Sequence, residues 1–260
     1  MIAWLSQHRS PWIKNIAIGV FRMLYRIKRK DYVSLRSKDF QSFGEFFARP
    51  IDPRARPLPQ ASSVVVSPCD GRLVDHCKIA TDATTVIKGV KMQVSELLGE
   101  PLHPSFTNGT CTVHYLAPND YHRVHMPYTG ELTDITWIDG QLATVKPGPK
   151  VAKTYLRNER VVLHFTTLQG PMVLVFVGAR NVGNIVINDI GIIRGQQSPH
   201  RWHFDRPKTY QRGEEIGRFL LGSTVIFLWP KTMSRHYRLK TSIYIDQHLK
   251  VMSELLAPNI

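Results

Sequence analysis

Phe219-Leu220-Leu221-Gly222-Ser223-Thr224-Val225-Ile226-Phe227 sets a glycine and two hydroxyl residues inside an otherwise apolar run. Its β-branched end, 224–227, reads as a strand, with Ser223 buried and Gly222 forming a bulge. Working outward, short β-prone stretches separated by Gly, Pro, Asn and Asp recur at 63–66, 71–75, 84–87, 110–116, 130–138, 160–167, 172–177, 185–193 and 244–245. A short helical turn is expected at 94–98. No fixed-period repeat is present, which argues against a propeller or solenoid. The strands are not separated by regular long helices, which argues against a doubly wound fold. The expected class is α+β: a compact β-rich core of mainly antiparallel sheets with an N-terminal amphipathic helical segment.

That N-terminal segment differs in kind. Residues 1–30 contain Arg9, Lys14, Arg22, Arg26, Lys28, Arg29 and Lys30 and no acid. On a helix, Trp12, Ile13, Ile16, Val20, Leu24 and Ile27 form one apolar stripe flanked by bases, the pattern of an interfacial helix. Pro11 is expected to open it, with Ser10 as cap. Trp4 and Leu5 offer a separate apolar anchor. The run is too short and too charged to span a bilayer. Charge within it also argues against a signal peptide. Farther on, Phe43, Phe46 and Phe47 are placed to dock into the core, and Pro50, Pro53, Pro57 and Pro59 favour an extended linker. The expected organisation is therefore 1–58, a helical membrane-associating segment with linker, and 59–260, a β-rich catalytic domain.

The 260 residues are rich enough in apolar side chains to fold, and they carry a formal charge of +14. An anionic partner follows; the lack of any nucleic-acid recognition motif favours phospholipid over nucleic acid. Three cysteines, Cys69, Cys77 and Cys111, cannot all pair within the chain, so a reducing compartment fits better than a disulfide scaffold. No CxxC, HExxH, GxGxxG or GxxxxGK[ST] occurs. His122 and His125 could pair on a metal, but no third ligand is evident, and no metal is expected.

Three polar segments stand out: Ser67-Pro68-Cys69-Asp70-Gly71-Arg72, Asp120-Tyr121-His122-Arg123-Val124-His125-Met126-Pro127, and Gly222-Ser223-Thr224. Each alone reads equally as a turn, a surface loop or a strand end. Together, Asp70, a histidine and Ser223 could form a nucleophilic triad, although no GxSxG elbow is present. The residues leave a lipid-active serine hydrolase and a noncatalytic basic membrane protein open.

These segments resemble the motifs of the phosphatidylserine decarboxylases of the bacterial, membrane-associated, pyruvoyl-dependent type. Gly222-Ser223-Thr224 resembles their self-cleavage motif, 121–127 their histidine motif and 67–71 their aspartate motif. The stretches 40–50, Arg54-Ala55-Arg56-Pro57 and 178–185 also match, and the resemblance extends over about 33–230. Cys69 departs from the pattern, where a small residue such as alanine is common.

The resemblance implies a proenzyme that cuts itself between Gly222 and Ser223. His125, oriented by Asp70, would take the Ser223 proton as Oγ attacks the Gly222 carbonyl carbon, turning the amide into an ester. Loss of the Ser223 Cα proton would eliminate the ester; hydrolysis of the resulting imine would release ammonia and leave a covalent pyruvoyl cofactor. That ketone would form a Schiff base with phosphatidylserine, releasing carbon dioxide and phosphatidylethanolamine. His122 and Tyr121 would position substrate or move protons. The resemblance further implies processed α and β chains of one proenzyme, a homodimer of such protomers, and peripheral attachment to the cytoplasmic side of the cell membrane.

Overall fold

The apolar run at 223–229 forms a strand buried along its whole length. It can do so because hydrogen-bonded strands flank it on both sides and packed layers cover both faces. The computed structural model describes residues 8–27, 29–148, 151–179, 185–193 and 201–259. Trp4, Leu5, Lys28 and 180–184 lie outside the described residues.

The helices are α1 (Pro11–Tyr25), α2 (Phe43–Phe47), α3 (Val94–Leu98), α4 (Val151–Arg157) and α5 (Lys231–His236). The first strands are β1 (Val65–Val66), β2 (Gly71–Lys78), β3 (Thr84–Ile87), β4 (Val90–Gln93), β5 (Thr110–Leu116), β6 (Arg123–His125), β7 (Gly130–Ile138), β8 (Arg160–Thr167) and β9 (Gly170–Gly178). They are followed by β10 (Ile185–Ile187), β11 (Gly191–Ile193), β12 (Arg201–Tyr210), β13 (Glu215–Phe219), β14 (Ser223–Trp229), β15 (Tyr237–Leu239), β16 (His248–Leu249) and β17 (Glu254–Pro258).

The main sheet has eight strands in the order β12-β7-β8-β9-β14-β5-β2-β16. Every pairing in it is antiparallel. A four-stranded sheet, β11-β10-β13-β6, a three-stranded sheet, β1-β17-β15, and the β3-β4 hairpin complete the fold. Side-chain alternation along β14 feeds two cores. Val225, Phe227 and Trp229 join Leu174, Phe176, Ile216 and Phe219 on the side of the smaller sheets. Ile226 and Leu228 join Val173, Val175, Phe21, Phe46 and Phe47 on the side of α1 and α2. The β-rich α+β expectation is met.

Some local expectations are corrected. The stretch 185–193 is a hairpin, not one strand: Ile190 donates its amide to the Ile187 carbonyl, and Gly191 turns the chain at φ 80°. Residues 244–245 lie in a turn that Asp246 closes at φ 69°, with Gln247 donating to the Tyr244 carbonyl. Ser10 precedes α1, but its side chain makes no capping hydrogen bond. The proline-rich stretch is packed rather than freely extended: Ile51 bridges Tyr32, Pro53–Ala55 is a 3-10 turn capped by Asp52, and Arg56 is buried.

Helix α1 docks through the face opposite the expected stripe. Ile18 and Phe21 are buried, and buried Lys14 donates from Nζ to the Phe40 carbonyl at 2.7 Å. Phe21 meets Phe43, Phe46 and Phe47 edge-on. Trp12, Ile16 and Leu24 stay 80%, 64% and 66% exposed. Among the described residues no helix is long and apolar enough to cross a membrane.

Candidate active site

Ser223 is the first residue of β14, paired with Leu116 of β5 and Gly178 of β9. That register holds its backbone on both sides and buries it completely. Its Oγ lies 3.4 Å from Nδ1 of His122. The other ring nitrogen of His122, Nε2, is 3.0 Å from the Ala117 carbonyl. A carbonyl only accepts, so Nε2 carries the proton and Nδ1 offers its lone pair to the Ser223 hydroxyl. Burial pushes the His122 pKa down to about 3, so the ring is neutral at physiological pH. Phe47 of α2 covers it at 4.1 Å between ring centroids.

The loop that carries His122 is tightly held. The Asp120 carboxylate accepts from the Ala117 amide at 2.7 Å and from His248 Nε2 at 2.8 Å. Arg49, fully buried, donates to the Asn119 carbonyl at 3.0 Å and to Tyr32 Oη at 2.9 Å, with its guanidinium 4.1 Å from the Tyr32 ring centre. Burial lowers the Arg49 pKa. His248 is shifted upward, chiefly by its hydrogen bond to Asp120.

Neither hydrogen bond of the expected Asp70–His125–Ser223 line is formed. His125 donates from Nδ1 to the Gly213 carbonyl at 2.7 Å and accepts from Tyr121 Oη at 2.9 Å. Asp70 is bound by Arg56, through Nη2 at 2.6 Å and Nε at 3.0 Å, and by the Val251 amide at 2.7 Å. Arg56 Nη2 also lies 3.6 Å from Asp31. His122 precedes β6 and its ring lies against Ser223, whereas His125, three residues on at the end of that strand, turns its ring to Gly213 and Tyr121. Asp70 and His125 are nonetheless neighbours, since the His125 amide donates to the Pro68 carbonyl at 2.8 Å. Burial is also the main cause lowering the His125 pKa. After Asp70, Gly71 has φ 149°, and a Cβ there would meet the Tyr115 carbonyl oxygen at 2.4 Å; only glycine lets β2 approach β5 so closely.

Gly222 lies just before β14 and does not form the expected bulge in it, since neither pairing of that strand shifts register. A side chain there would meet nothing within 4 Å, and its φ lies outside the left-handed region, so neither crowding nor backbone strain demands glycine. What Gly222 and Ser223 do share is a cavity of about 360 Å³, mostly apolar. Phe21 and Tyr25 of α1, Phe43 and Phe47 of α2, and Leu221 form much of its wall, and Lys146 contributes a cation. Arg49, Arg56, Asp120 and His248 were not singled out by the sequence reading. The first three sit inside segments it quoted, where a charge amid phenylalanines, prolines or aromatics was the available signal; His248 gave none.

The arrangement offers a buried nucleophile, a neutral imidazole lone pair aimed at it, and an apolar chamber beside a peptide bond. A family model described as phosphatidylserine decarboxylase matches residues 43–253. A phosphatidylserine decarboxylase proenzyme from Alkalilimnicola ehrlichii is 39% identical over 238 residues, covering 88% of this chain and 82% of the relative. The proenzyme of Saccharophagus degradans is 34% identical, covering 89% and 83%. That of Glaesserella parasuis is 33% identical over 257 residues, covering 95% and 84%.

Proposed function

The chain belongs to the phosphatidylserine decarboxylase family, and from that premise we propose that Ser223 is the residue it converts into its own prosthetic group. The protein is a pyruvoyl-dependent decarboxylase that turns phosphatidylserine into phosphatidylethanolamine and carbon dioxide, with the pyruvoyl group generated from its own chain. The observation that carries the assignment to Ser223 is its hydroxyl, 3.4 Å from a neutral His122 at the end of an apolar cavity that Gly222 also lines.

In maturation, His122 Nδ1 takes the Oγ proton as Oγ bonds to the Gly222 carbonyl carbon. The Gly222–Ser223 C–N bond breaks, and the proton passes to the freed nitrogen. The Ala117 carbonyl fixes the tautomer, and Asp120 and Arg49 hold the loop. A second reading assigns the proton to His125 with Asp70. The neighbouring positions of those residues support it, but it requires Asp70 to leave Arg56 and His125 to leave Gly213.

The pyruvoyl ketone supplies an electron sink for the substrate's amine-bearing carbon. The residues present suit such a group: Ser223 opens a rigid strand, the cavity excludes water on its aromatic side, and His122 is within reach for proton delivery. Lys146 supplies a cation on the cavity wall for the lipid phosphate, and Phe47 and Leu221 give the cavity an apolar lining beside Ser223. Tyr121 donates to His125 and would take part in proton transfer in the second reading.

Segment 1–58 serves as the membrane-associating part on the catalytic body 59–260, α1 lying on an anionic phospholipid surface with its exposed apolar face. We place the protein peripherally on the cytoplasmic side of the cell membrane, in keeping with three buried free cysteines. The homodimer of processed protomers rests on the family resemblance alone.

Phosphatidylserine vesicles test the reading. The wild type should release carbon dioxide and form phosphatidylethanolamine, and Ser223→Ala should remain one chain and do neither. Release of free fatty acid with Ser223 intact would instead favour a serine hydrolase.

A further inference from the structure

Beside α1, on residues that do not line the catalytic cavity, lies a polar hollow of about 590 Å³. Arg22 of α1, Arg29 and Arg36 all line it, together with Tyr32, Ser34 and Asp39. The three arginines come from different stretches: the helix, the 3-10 turn Arg29–Asp31, and the residue before the 3-10 turn Ser37–Asp39. Among the described residues none of the three guanidiniums has a hydrogen-bond or ion-pair partner. The one acid of the hollow, Asp39, is engaged by the Ser34 hydroxyl, which in turn accepts from the Arg36 amide at 3.1 Å.

Three unpaired guanidiniums around one hollow are a demand for an anion, because Arg forks bind phosphate oxygens bidentately. Three positive charges against one carboxylate leave two, which matches a phosphomonoester at neutral pH. The surroundings select its carrier. Arg22 is on the helix whose Ile16, Val20 and Leu24 are exposed, and those three line an apolar groove with Phe43. Arg22 lies two positions from both Val20 and Leu24, so the hollow and the groove flank opposite sides of α1; a helix lying on a bilayer through its groove side carries the hollow on its headgroup side.

We propose that Arg22, Arg29 and Arg36 form a second lipid site that takes the terminal phosphate of an anionic phospholipid other than the substrate. Occupancy of this site seats α1 on the bilayer and orients the mouth of the catalytic cavity toward lipid. The assignment concerns binding, so it stands apart from the fate of Ser223.

The test uses full-length protein and phosphatidylcholine vesicles containing either phosphatidic acid or phosphatidylglycerol, matched in zeta potential. The wild type should bind the phosphatidic acid vesicles severalfold more tightly. The pair R22Q/R36Q should lose that preference and roughly tenfold in affinity for them. K30Q/K38Q, which removes the same charge from the same segment without touching the hollow, should keep the preference. R22K/R36K, which keeps the charge but not the fork, should also lose it, and serves if the glutamine pair does not fold; melting curves check both. Equal binding of both vesicles by the wild type, or the same loss in both glutamine pairs, would overturn the site. Binding of free glycerol 3-phosphate as tightly as phosphatidic acid vesicles, so that the acyl chains add nothing, would overturn its assignment to a lipid.

Discussion

Along β14 every residue from Ser223 to Trp229 is buried, whereas on α1 Trp12, Ile16 and Leu24 keep most of their surface exposed. Both stretches are rich in apolar residues. The sheet uses them to close two cores around a nucleophile; the helix anchors with Ile18 and Phe21 and leaves the opposite stripe bare. An amphipathic pattern therefore has two possible uses, and here one face of the helix docks into the core while the other stays exposed. The candidate catalytic cavity lies where the two regions meet, since Phe21 and Tyr25 line it together with Ser223.

The strongest challenge to the buried side of this contrast is His122→Ala. Removing the imidazole that is hydrogen-bonded to Ser223 should slow self-cleavage by about a hundredfold or more, followed as appearance of the cut chains on a gel. His125→Ala and Asp70→Asn should be milder in this readout if the proton goes to His122. Normal maturation of His122→Ala with arrest in His125→Ala would hand the role to His125 and Asp70.

Next come the two faces of α1. Phe21→Ala should cost about 3–5 kcal/mol of stability in denaturant unfolding, because it empties a packed aromatic cluster. Ile16→Ser with Leu24→Ser should change stability by about 0.5 kcal/mol or less per site. The same pair should weaken sedimentation with anionic vesicles by roughly thirtyfold, as expected for about 2 kcal/mol of lost burial in lipid. Large destabilisation by the serine pair would mean that the exposed stripe packs on the protein after all.

The smallest effect is electrostatic. His248 is raised by Asp120, so its contribution to stability is fully present below the unfolded value of about 6.5 and is lost as pH rises through the higher folded value. A shallow fall in melting temperature over that range should flatten in His248→Gln. His122 works in the opposite sense. Its pKa is depressed to about 3 by burial, so stability falls as acid protonates the unfolded chain below about 6.5.

Much of the sheet was legible because its central strands carry dense β-branched runs: β5, β7 and β8 begin and end where the sequence indicates. Strand β12 was not, because Arg201–Tyr210 is largely exposed and charged, and its pairing with β7 supplies what its composition lacks. The hairpin at 185–193 escaped because Asn188-Asp189-Ile190 breaks an apolar run too briefly to announce a turn. For the site, residue types could nominate Asp70, His122, His125, Tyr121, Gly222 and Ser223, but not who bonds to whom. Arg56 on Asp70, Ser223 beside His122 and Gly213 beside His125 are facts of packing across distant segments.

The central claim, that Ser223 is the precursor of the prosthetic group, is tested most directly by intact-mass analysis of the purified, active protein. The account predicts two chains, the smaller spanning 223–260, with a ketone in place of an α-amine at its first position and a mass that shifts on borohydride reduction. A fully active preparation that is one uncleaved chain with Ser223 still a serine would contradict it.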